Sequence, residues 1–79
     1  MRITVLCFAQ TREMTGAPAL GFELPDGATL VALIAALHAA HPALAGVPLR
    51  YALNREFASA EHPLHEGDEV ALIPPVAGG

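Results

Sequence analysis

Lysine and tryptophan are absent from this 79-residue sequence, and cysteine occurs only once. Without lysine, no side chain of the protein can form a Schiff base or accept an isopeptide bond. The single cysteine, Cys7, cannot close a disulfide within the chain, and no basic segment followed by an apolar run and a cleavage site opens the sequence. We therefore expect a cytoplasmic protein.

Positive charge is also scarce. The four basic residues, all arginines, stand against eight acidic ones and give a formal net charge of −4. Nucleic-acid-binding proteins gain much of their affinity by neutralising phosphates, so we expect no binding to DNA or RNA. No apolar run approaches the roughly 20 residues that span a bilayer, so no membrane association is expected. Neutral or basic proteins are the expected partners.

The length allows one domain, 1–79, with a small core. A chain of this size buries only roughly 60 to 65% of its unfolded surface. Little area remains for an enclosed substrate pocket beside the core, which favours a function at the surface or at a terminus. Apolar residues make up 53% of the chain and aromatic residues only 5%, so stability should depend on aliphatic packing.

Apolar periodicity predicts one main helix and five strands, in the order β, β, α, β, β, β. The helix should begin after Thr29, a residue type suited to N-capping, and end at about His41, before Pro42. Its apolar face is formed by Leu30, Leu33, Ile34 and Leu37. The strands are predicted at residues 3–9, 19–24, 49–53, 56–60 and 69–73, and residues 11–16 form a turn or a single helical turn.

The first predicted strand is apolar along nearly its whole length, which is typical of a central strand that is covered on both faces. Cys7 would then be a buried core residue. We expect this strand to form a hairpin with the second strand and to pair in parallel with the last. With one helix across the mixed sheet, this arrangement is the α+β fold called β-grasp or ubiquitin-like.

The last six residues, 74–79, are expected to form an extended C-terminal arm. Pro74 and Pro75 fix their own backbone φ and disfavour helical geometry in the residue before them. Gly78 and Gly79 have no Cβ, so this end of the chain can approach another surface closely and enter a narrow active site. The carboxylate of Gly79 is therefore the candidate reactive group.

Short motifs follow one another along the chain in a characteristic order. They are Phe8-Ala9, Arg12-Glu13, Ala52-Leu53-Asn54, Leu64, Glu66-Gly67-Asp68-Glu69-Val70 and Ile73-Pro74-Pro75-Val76-Ala77-Gly78-Gly79. Together they resemble the MoaD type of sulfur carrier in the MoaD/ThiS family, the small subunit of molybdopterin synthase. The resemblance covers essentially the whole chain, and it depends on the ordered combination because none of the motifs is specific by itself.

This resemblance implies a carrier that is not an enzyme as an isolated chain. An ATP-dependent activating enzyme, an adenylyltransferase, would adenylate the C-terminal carboxylate of Gly79, and a sulfur donor protein would supply the sulfur of a thiocarboxylate. The sulfur would then pass to a pterin precursor within molybdopterin synthase, a sulfurtransferase complex. The implied complex is a heterotetramer with two carriers on a dimer of the large catalytic subunit. ATP would be used by the activating partner, and this chain would bind no cofactor and no metal.

The resemblance also assigns roles along the arm. Gly78 would give the arm clearance inside the partner, and Pro74, Pro75, Val76 and Ala77 would line its path. Family members often have threonine or serine at the position of Ala77, and commonly have lysines that this chain lacks. Neither difference removes reacting atoms, but each removes a group that could bond to a partner.

Docking to the partners is expected on an exposed face or edge of the sheet, with Phe57 as the candidate residue. Leu49, Tyr51 and Ile73 are further candidates, and the sequence does not show which of them face the core. The sequence suggests no role for Arg12, Glu13 or Asn54, and it does not identify the sulfur donor.

Two other functions remain open at this point. A thiamine-pathway, ThiS-type carrier would share the fold and the chemistry of the arm, although Pro74-Pro75 and the length favour the molybdopterin pathway. A ubiquitin-like interaction module would never activate its terminus. The histidine pairs His38/His41 and His62/His65 have the three-residue spacing of some metal ligands, but ordinary surface histidines explain them better.

Overall fold

The structure is a computed structural model that describes residues 1–75. The five strands and the main helix follow one another in the order expected from the sequence, and one 3₁₀ helix is additional. The elements are β1 Arg2–Cys7, α1 Gln10–Thr15, β2 Ala19–Glu23, α2 Leu30–Ala40, a 3₁₀ helix Pro42–Gly46, β3 Arg50–Leu53, β4 Glu56–Phe57 and β5 Glu69–Ile73.

The five strands form one mixed sheet in the order β2-β1-β5-β3-β4. β1 and β5 are parallel, with Thr4 opposite Glu69 and Cys7 opposite Leu72, and the other neighbouring pairs are antiparallel. The predicted hairpin and the predicted parallel pairing of the first and last strands are both confirmed. The sheet and the helix that packs on it form a β-grasp fold.

The core lies between α2 and the sheet. Leu30, Leu33 and Leu37 are buried at the three- and four-residue spacing that places them on one side of a helix. They pack against the residues of alternate strand positions that point towards the helix. These strand residues are Ile3, Val5, Cys7, Leu53, Val70 and Leu72. The prediction that Cys7 is buried is therefore confirmed.

The first turn of α2 is capped by another segment of backbone. Thr29 occupies the N-cap position in an extended conformation, but its side chain makes no capping hydrogen bond. Instead, the Leu30 and Val31 N–H groups donate to the carbonyl oxygens of His62 and Ala60, at 3.0 and 2.9 Å. The loop before β5 thus satisfies donors that every helix leaves free at its start.

The chain leaves helical geometry at His41, which has φ −135° and ψ 78°, and enters a second helix at Pro42. α2 ends at Ala40, close to the predicted position, and a 3₁₀ helix begins at Pro42, which tolerates the first position of a helix because it has no N–H to bond. This element was not predicted. It places Leu44, which is 1% exposed, in the core.

The prediction that β1 is covered on both faces is wrong. β1 does lie between two strands, but α2 covers only one face of the sheet. On the opposite face, which we call the open face, Leu6 is half-buried and Phe8, just after β1, is 48% exposed. Among residues 1–75, no helix is both long enough and apolar enough to cross a membrane.

Candidate functional site

The open face contains a shallow apolar groove at its centre. In the sheet register, Leu6 lies opposite Ala71, Ala71 opposite Ala52, and Ala52 opposite Phe57, so these residues form one row across four strands. The two alanines are too small to fill the space between Leu6 and Phe57. The resulting groove has a volume of about 480 Å³.

The ends of the groove differ in polarity. Phe8 and Ile73 contribute apolar walls, whereas Arg55 and Glu69 lie on its polar side. Phe8 and Phe57 are 48% and 58% exposed, and three exposed large hydrophobic residues are found among the described residues, Val31 being the third. Two large apolar side chains around one groove are typical of a protein interaction surface.

Phe57 is placed on the open face by the short β3–β4 hairpin. The Arg50 guanidinium carbon lies 3.7 Å from the centroid of the Phe57 ring, within the range of a cation–π interaction. This contact orients the ring while leaving its outer face exposed. The structure thus places Phe57 where the sequence analysis expected a docking residue.

Asn54 connects this hairpin to the start of β5. Its side-chain amide donates to Asp68 Oδ1 at 3.0 Å, and its Oδ1 accepts from the Glu69 N–H, also at 3.0 Å. The second Asp68 oxygen accepts from the His65 N–H at 2.7 Å. Asn54, for which the sequence suggested no role, therefore links the β3–β4 turn to the Gly67-Asp68 turn.

Phe8 is a candidate docking residue that the sequence analysis missed. Its backbone N–H donates to the Thr11 hydroxyl at 2.9 Å, and the hydroxyl donates to the Phe8 carbonyl oxygen at 2.8 Å. The next residue, Ala9, has φ 48° and ψ −118°, a conformation that costs a residue other than glycine about 1–3 kcal/mol. The signal in the sequence was the alternation that places Leu6 and Phe8 on the same side of β1.

The arm begins beside the groove. Ile73, Pro74 and Pro75 line a second, adjoining groove of about 400 Å³, which Phe57 also lines. The structure therefore brings together three of the predicted partner-binding residues, Phe57, Pro74 and Pro75. The remaining predicted site residues, Val76, Ala77, Gly78 and Gly79, lie outside the described residues.

The register separates the further docking candidates. Ile73 is on the open face, whereas Leu49 and Tyr51 are partly buried and pack against the core, although Leu49 also lines the second groove. Burial raises the pKa of Tyr51 above its ordinary value of 10.0. Tyr51 is therefore better described as a core residue than as a docking residue.

The other polar residues singled out in the sequence do not form a second site. Arg12 and Glu13 are exposed on α1 and make no ion pair with any other residue in the described part of the chain. Among residues 1–75, no three histidine, cysteine, aspartate or glutamate side chains are grouped so that they could hold a metal ion.

Comparison with known proteins gives one consistent result. The model of the ThiS family matches residues 5–79. The molybdopterin synthase sulfur carrier subunit of Chlamydomonas reinhardtii is 47% identical, with 100% of each chain covered. Among solved structures, SAMP1 from Haloferax volcanii is 29% identical with a TM-score of 0.91, and 100% of both chains is covered.

A further solved structure contains a similar chain within a complex. It is the complex of subunits 1 and 2 of the molybdopterin-converting factor from Helicobacter pylori. The matching chain is 28% identical to the present one, with 100% of both chains covered and a TM-score of 0.72. The similarity therefore extends to a protein whose structure was determined with a partner bound.

Proposed function

This chain belongs to the ThiS family, and we propose that it is the sulfur carrier of a cytoplasmic molybdopterin synthase. The observation that carries the proposal is the 47% identity, over the whole of both chains, to a molybdopterin synthase sulfur carrier subunit. The ordered motifs from Phe8-Ala9 to the terminal Gly78-Gly79 support the same function.

The reactive group in this proposal is the C-terminal carboxylate of Gly79. A carboxylate is a poor electrophile, because neither oxygen is a good leaving group. In the proposed reaction, a Gly79 oxygen attacks the α-phosphorus of ATP on an activating enzyme, and pyrophosphate leaves. Sulfide-level sulfur supplied by a donor protein then attacks the acyl carbon of Gly79, AMP leaves, and the thiocarboxylate forms. Its sulfur passes to a pterin precursor, and water restores the Gly79 carboxylate.

The chain contributes no catalytic side chain to these steps. The large catalytic subunit and the activating enzyme supply the catalysis, and ATP is bound by the activating enzyme. We propose a heterotetramer in which two copies of this chain dock on a dimer of the large subunit. The Helicobacter pylori complex of subunits 1 and 2 supports the existence of such a partner.

The open face is the surface that we propose for docking. Its groove is apolar, and the exposed Phe8 and Phe57 stand beside it. Ile73 lines both the groove and the start of the arm, so a partner bound there would lie next to Pro74 and Pro75. Pro74 and Pro75, followed by Val76, Ala77 and Gly78, would then lead Gly79 into the active site of that partner.

The proposal is tested by removing residues 78–79 and measuring product formation. The assay contains the large subunit, the activating enzyme, ATP, a sulfur source and the pterin precursor. We expect no molybdopterin from the shortened chain and an unchanged melting temperature, because the last residues of a domain usually contribute little to its stability. Normal product formation would instead support the interaction module that does not use its terminus.

The thiamine-pathway alternative is tested by the choice of partner. The chain is expressed with the molybdopterin synthase large subunit and, separately, with the thiazole synthase of the same genome. Our proposal requires co-purification with the first protein. Stable association with thiazole synthase alone would assign the chain to the thiamine pathway.

A further inference from the structure

The two-residue turn between β3 and β4 contains an arginine where glycine is favoured. Asn54 has φ 48° and Arg55 has φ 74°, so both residues have a left-handed backbone conformation, as in a type I′ turn. Asparagine suits the first position, but the second is usually glycine, because a Cβ is strained at positive φ. The conformation of the turn therefore does not explain why residue 55 is an arginine.

The environment of Arg55 also leaves its charge uncompensated. Arg2 forms an ion pair with Glu23 at 2.9 Å, and Arg50 stacks on Phe57. Arg55, by contrast, is exposed and makes no ion pair with any residue between 1 and 75. Glu69 lines the same groove but forms no ion pair with Arg55. The Glu69 backbone N–H donates to the Asn54 side-chain oxygen.

The groove that Arg55 lines is otherwise mainly apolar, with its floor formed by Ala52 and Ala71. A protein that covers this groove removes water from the guanidinium group. Burying an unpaired charge is costly, whereas a carboxylate at hydrogen-bonding distance compensates for the lost hydration. A partner that docks on the open face thus needs an acidic group at the position of Arg55.

We propose that Arg55 determines partner specificity by binding a carboxylate of the protein that docks on the open face. The complementary surface has a bulky apolar side chain that enters the groove above Ala52 and Ala71, and an aspartate or glutamate beside the β3–β4 turn. This inference rests on the proposed function and identifies the chemistry of the partner surface. It reverses, at this position, the basic or neutral partner expected from the net charge of −4.

A protein fits this groove better than a small anion does. Most of the groove surface is apolar, and Ile73 connects it to the second groove at the start of the arm. A free carboxylate or phosphate would use only the polar side of the groove. An extended docking surface uses both the charge of Arg55 and the apolar walls formed by Phe8 and Phe57.

The test compares R55G, R55Q and R55K with the unmodified chain in calorimetric titrations against the cognate large subunit. R55G should raise the melting temperature, because Asn-Gly is favoured in a type I′ turn. We nevertheless expect its Kd to increase roughly tenfold at low salt, since the paired charge is lost. R55Q keeps a long side chain in the turn but has no charge, and its Kd should be similar to that of R55G. The Kd of R55K should lie between those of these two variants and that of the unmodified chain, because lysine keeps the charge but not the bidentate geometry.

R2Q is the matched control, because it removes the same charge from an exposed ion pair with Glu23 of β2, at the opposite edge of the sheet from the β3–β4 turn. Its Kd should stay within about twofold of the unmodified chain, since exposed ion pairs contribute little. Unchanged binding by R55G and R55Q, or an equal loss in R2Q, would overturn the inference. Strong competition by acetate would show that Arg55 binds a small anion instead.

The same titrations separate this inference from the proposed function. If the unmodified chain binds the large subunit and R55Q binds equally well, only the role of Arg55 is contradicted. If the unmodified chain shows no binding to the large subunit, the proposed function fails and the inference that rests on it fails with it.

Discussion

At the scale of single residues, two exposed aromatic side chains support the proposal that the open face is a docking surface. The chain has only three phenylalanines, and two of them, Phe8 and Phe57, are about half exposed around the groove of the open face. Hydrogen bonds with the Thr11 hydroxyl fix the backbone of Phe8, and the Arg50 guanidinium packs on the ring of Phe57. Aromatic residues that are ordered before binding lose little entropy when a partner covers them.

Phe57→Ala should weaken binding to the large subunit much more than it weakens the fold. The lost cation–π contact costs about 0.5–1 kcal/mol of folding stability at an exposed site. Loss of a central aromatic anchor costs about 2 kcal/mol or more of binding free energy. Urea unfolding and titration calorimetry measure the two quantities. The control is Val31→Ala, which truncates another exposed apolar residue, on α2 and therefore away from the open face. If both variants bind equally well, Phe57 is not an anchor.

Tyr51 provides a pH-dependent test of core packing. Burial raises its pKa above 10.0, because the charged phenolate is poorly solvated in the fold. The contribution of neutral, buried Tyr51 to the free energy of unfolding is fully present below pH 10. It is lost as the pH rises through the pKa of Tyr51 in the folded chain. Since this is the only tyrosine, the absorbance of tyrosinate reports on it alone. We expect a titration midpoint above that of the urea-unfolded chain; coincident midpoints would contradict the burial of Tyr51.

At the scale of secondary-structure elements, the sequence predicted what depends on local patterns. Leu30, Leu33 and Leu37 defined α2 because their spacing follows from helix geometry. The 3₁₀ helix was missed because Pro42 disfavours helix only in the residue before it, and not after it. The apolar run in β1 correctly predicted a central strand. It did not show that one face of the sheet is open, because the position of α2 decides which face is covered.

The groove of the open face also depends on contacts between strands that local sequence patterns do not define. Phe57 was predicted as a docking residue, but its position opposite Ala52 depends on the sheet register, which the sequence alone does not define. The hydrogen bonds of Asn54 join residues that are 14 and 15 positions apart, so no local pattern indicates them. The arm was identified from its own composition, and it remains a prediction for residues 76–79.

The Asn54 connection leads to a prediction at the level of the β3–β4 hairpin. Asn54→Ala removes the hydrogen bonds to Asp68 and Glu69 and places alanine at positive φ. We expect a loss of about 1–3 kcal/mol in the free energy of unfolding. Asn54→Gly is the matched variant, since it relieves the backbone strain and loses only the hydrogen bonds. Asn54→Gly should therefore be less destabilised than Asn54→Ala in urea unfolding. Equal stability of the two variants would show that the positive φ of residue 54 costs alanine no free energy.

At the scale of the whole molecule, the fold has one covered and one open sheet face. One helix of eleven residues, α2, packs on the five strands, and within residues 1–75 no second layer covers the other face. The open face is adjacent to the start of the arm, because β5 contributes Ala71 and Ile73 to the groove before it continues into Pro74. A partner docked on the open face would therefore lie next to Pro74 and Pro75.

Gly79→Ala tests whether the end of this molecule must be free of side chains. The variant keeps the terminal carboxylate and adds only a Cβ, which should obstruct close approach in the active site of a partner. We expect the loss of sulfur transfer with a nearly unchanged melting temperature, measured by product formation and by thermal unfolding. A large drop in melting temperature would instead show that the terminus supports the fold.

The central claim is that the C-terminal carboxyl of Gly79 carries sulfur, and intact-protein mass spectrometry tests it most directly. The chain is incubated with ATP, its cognate activating enzyme and a sulfur source. We expect a mass increase equal to the difference between sulfur and oxygen, located at Gly79 by fragmentation and absent when ATP is omitted. An unchanged mass, with an activating enzyme shown to form the adenylate, would show that Gly79 does not carry sulfur.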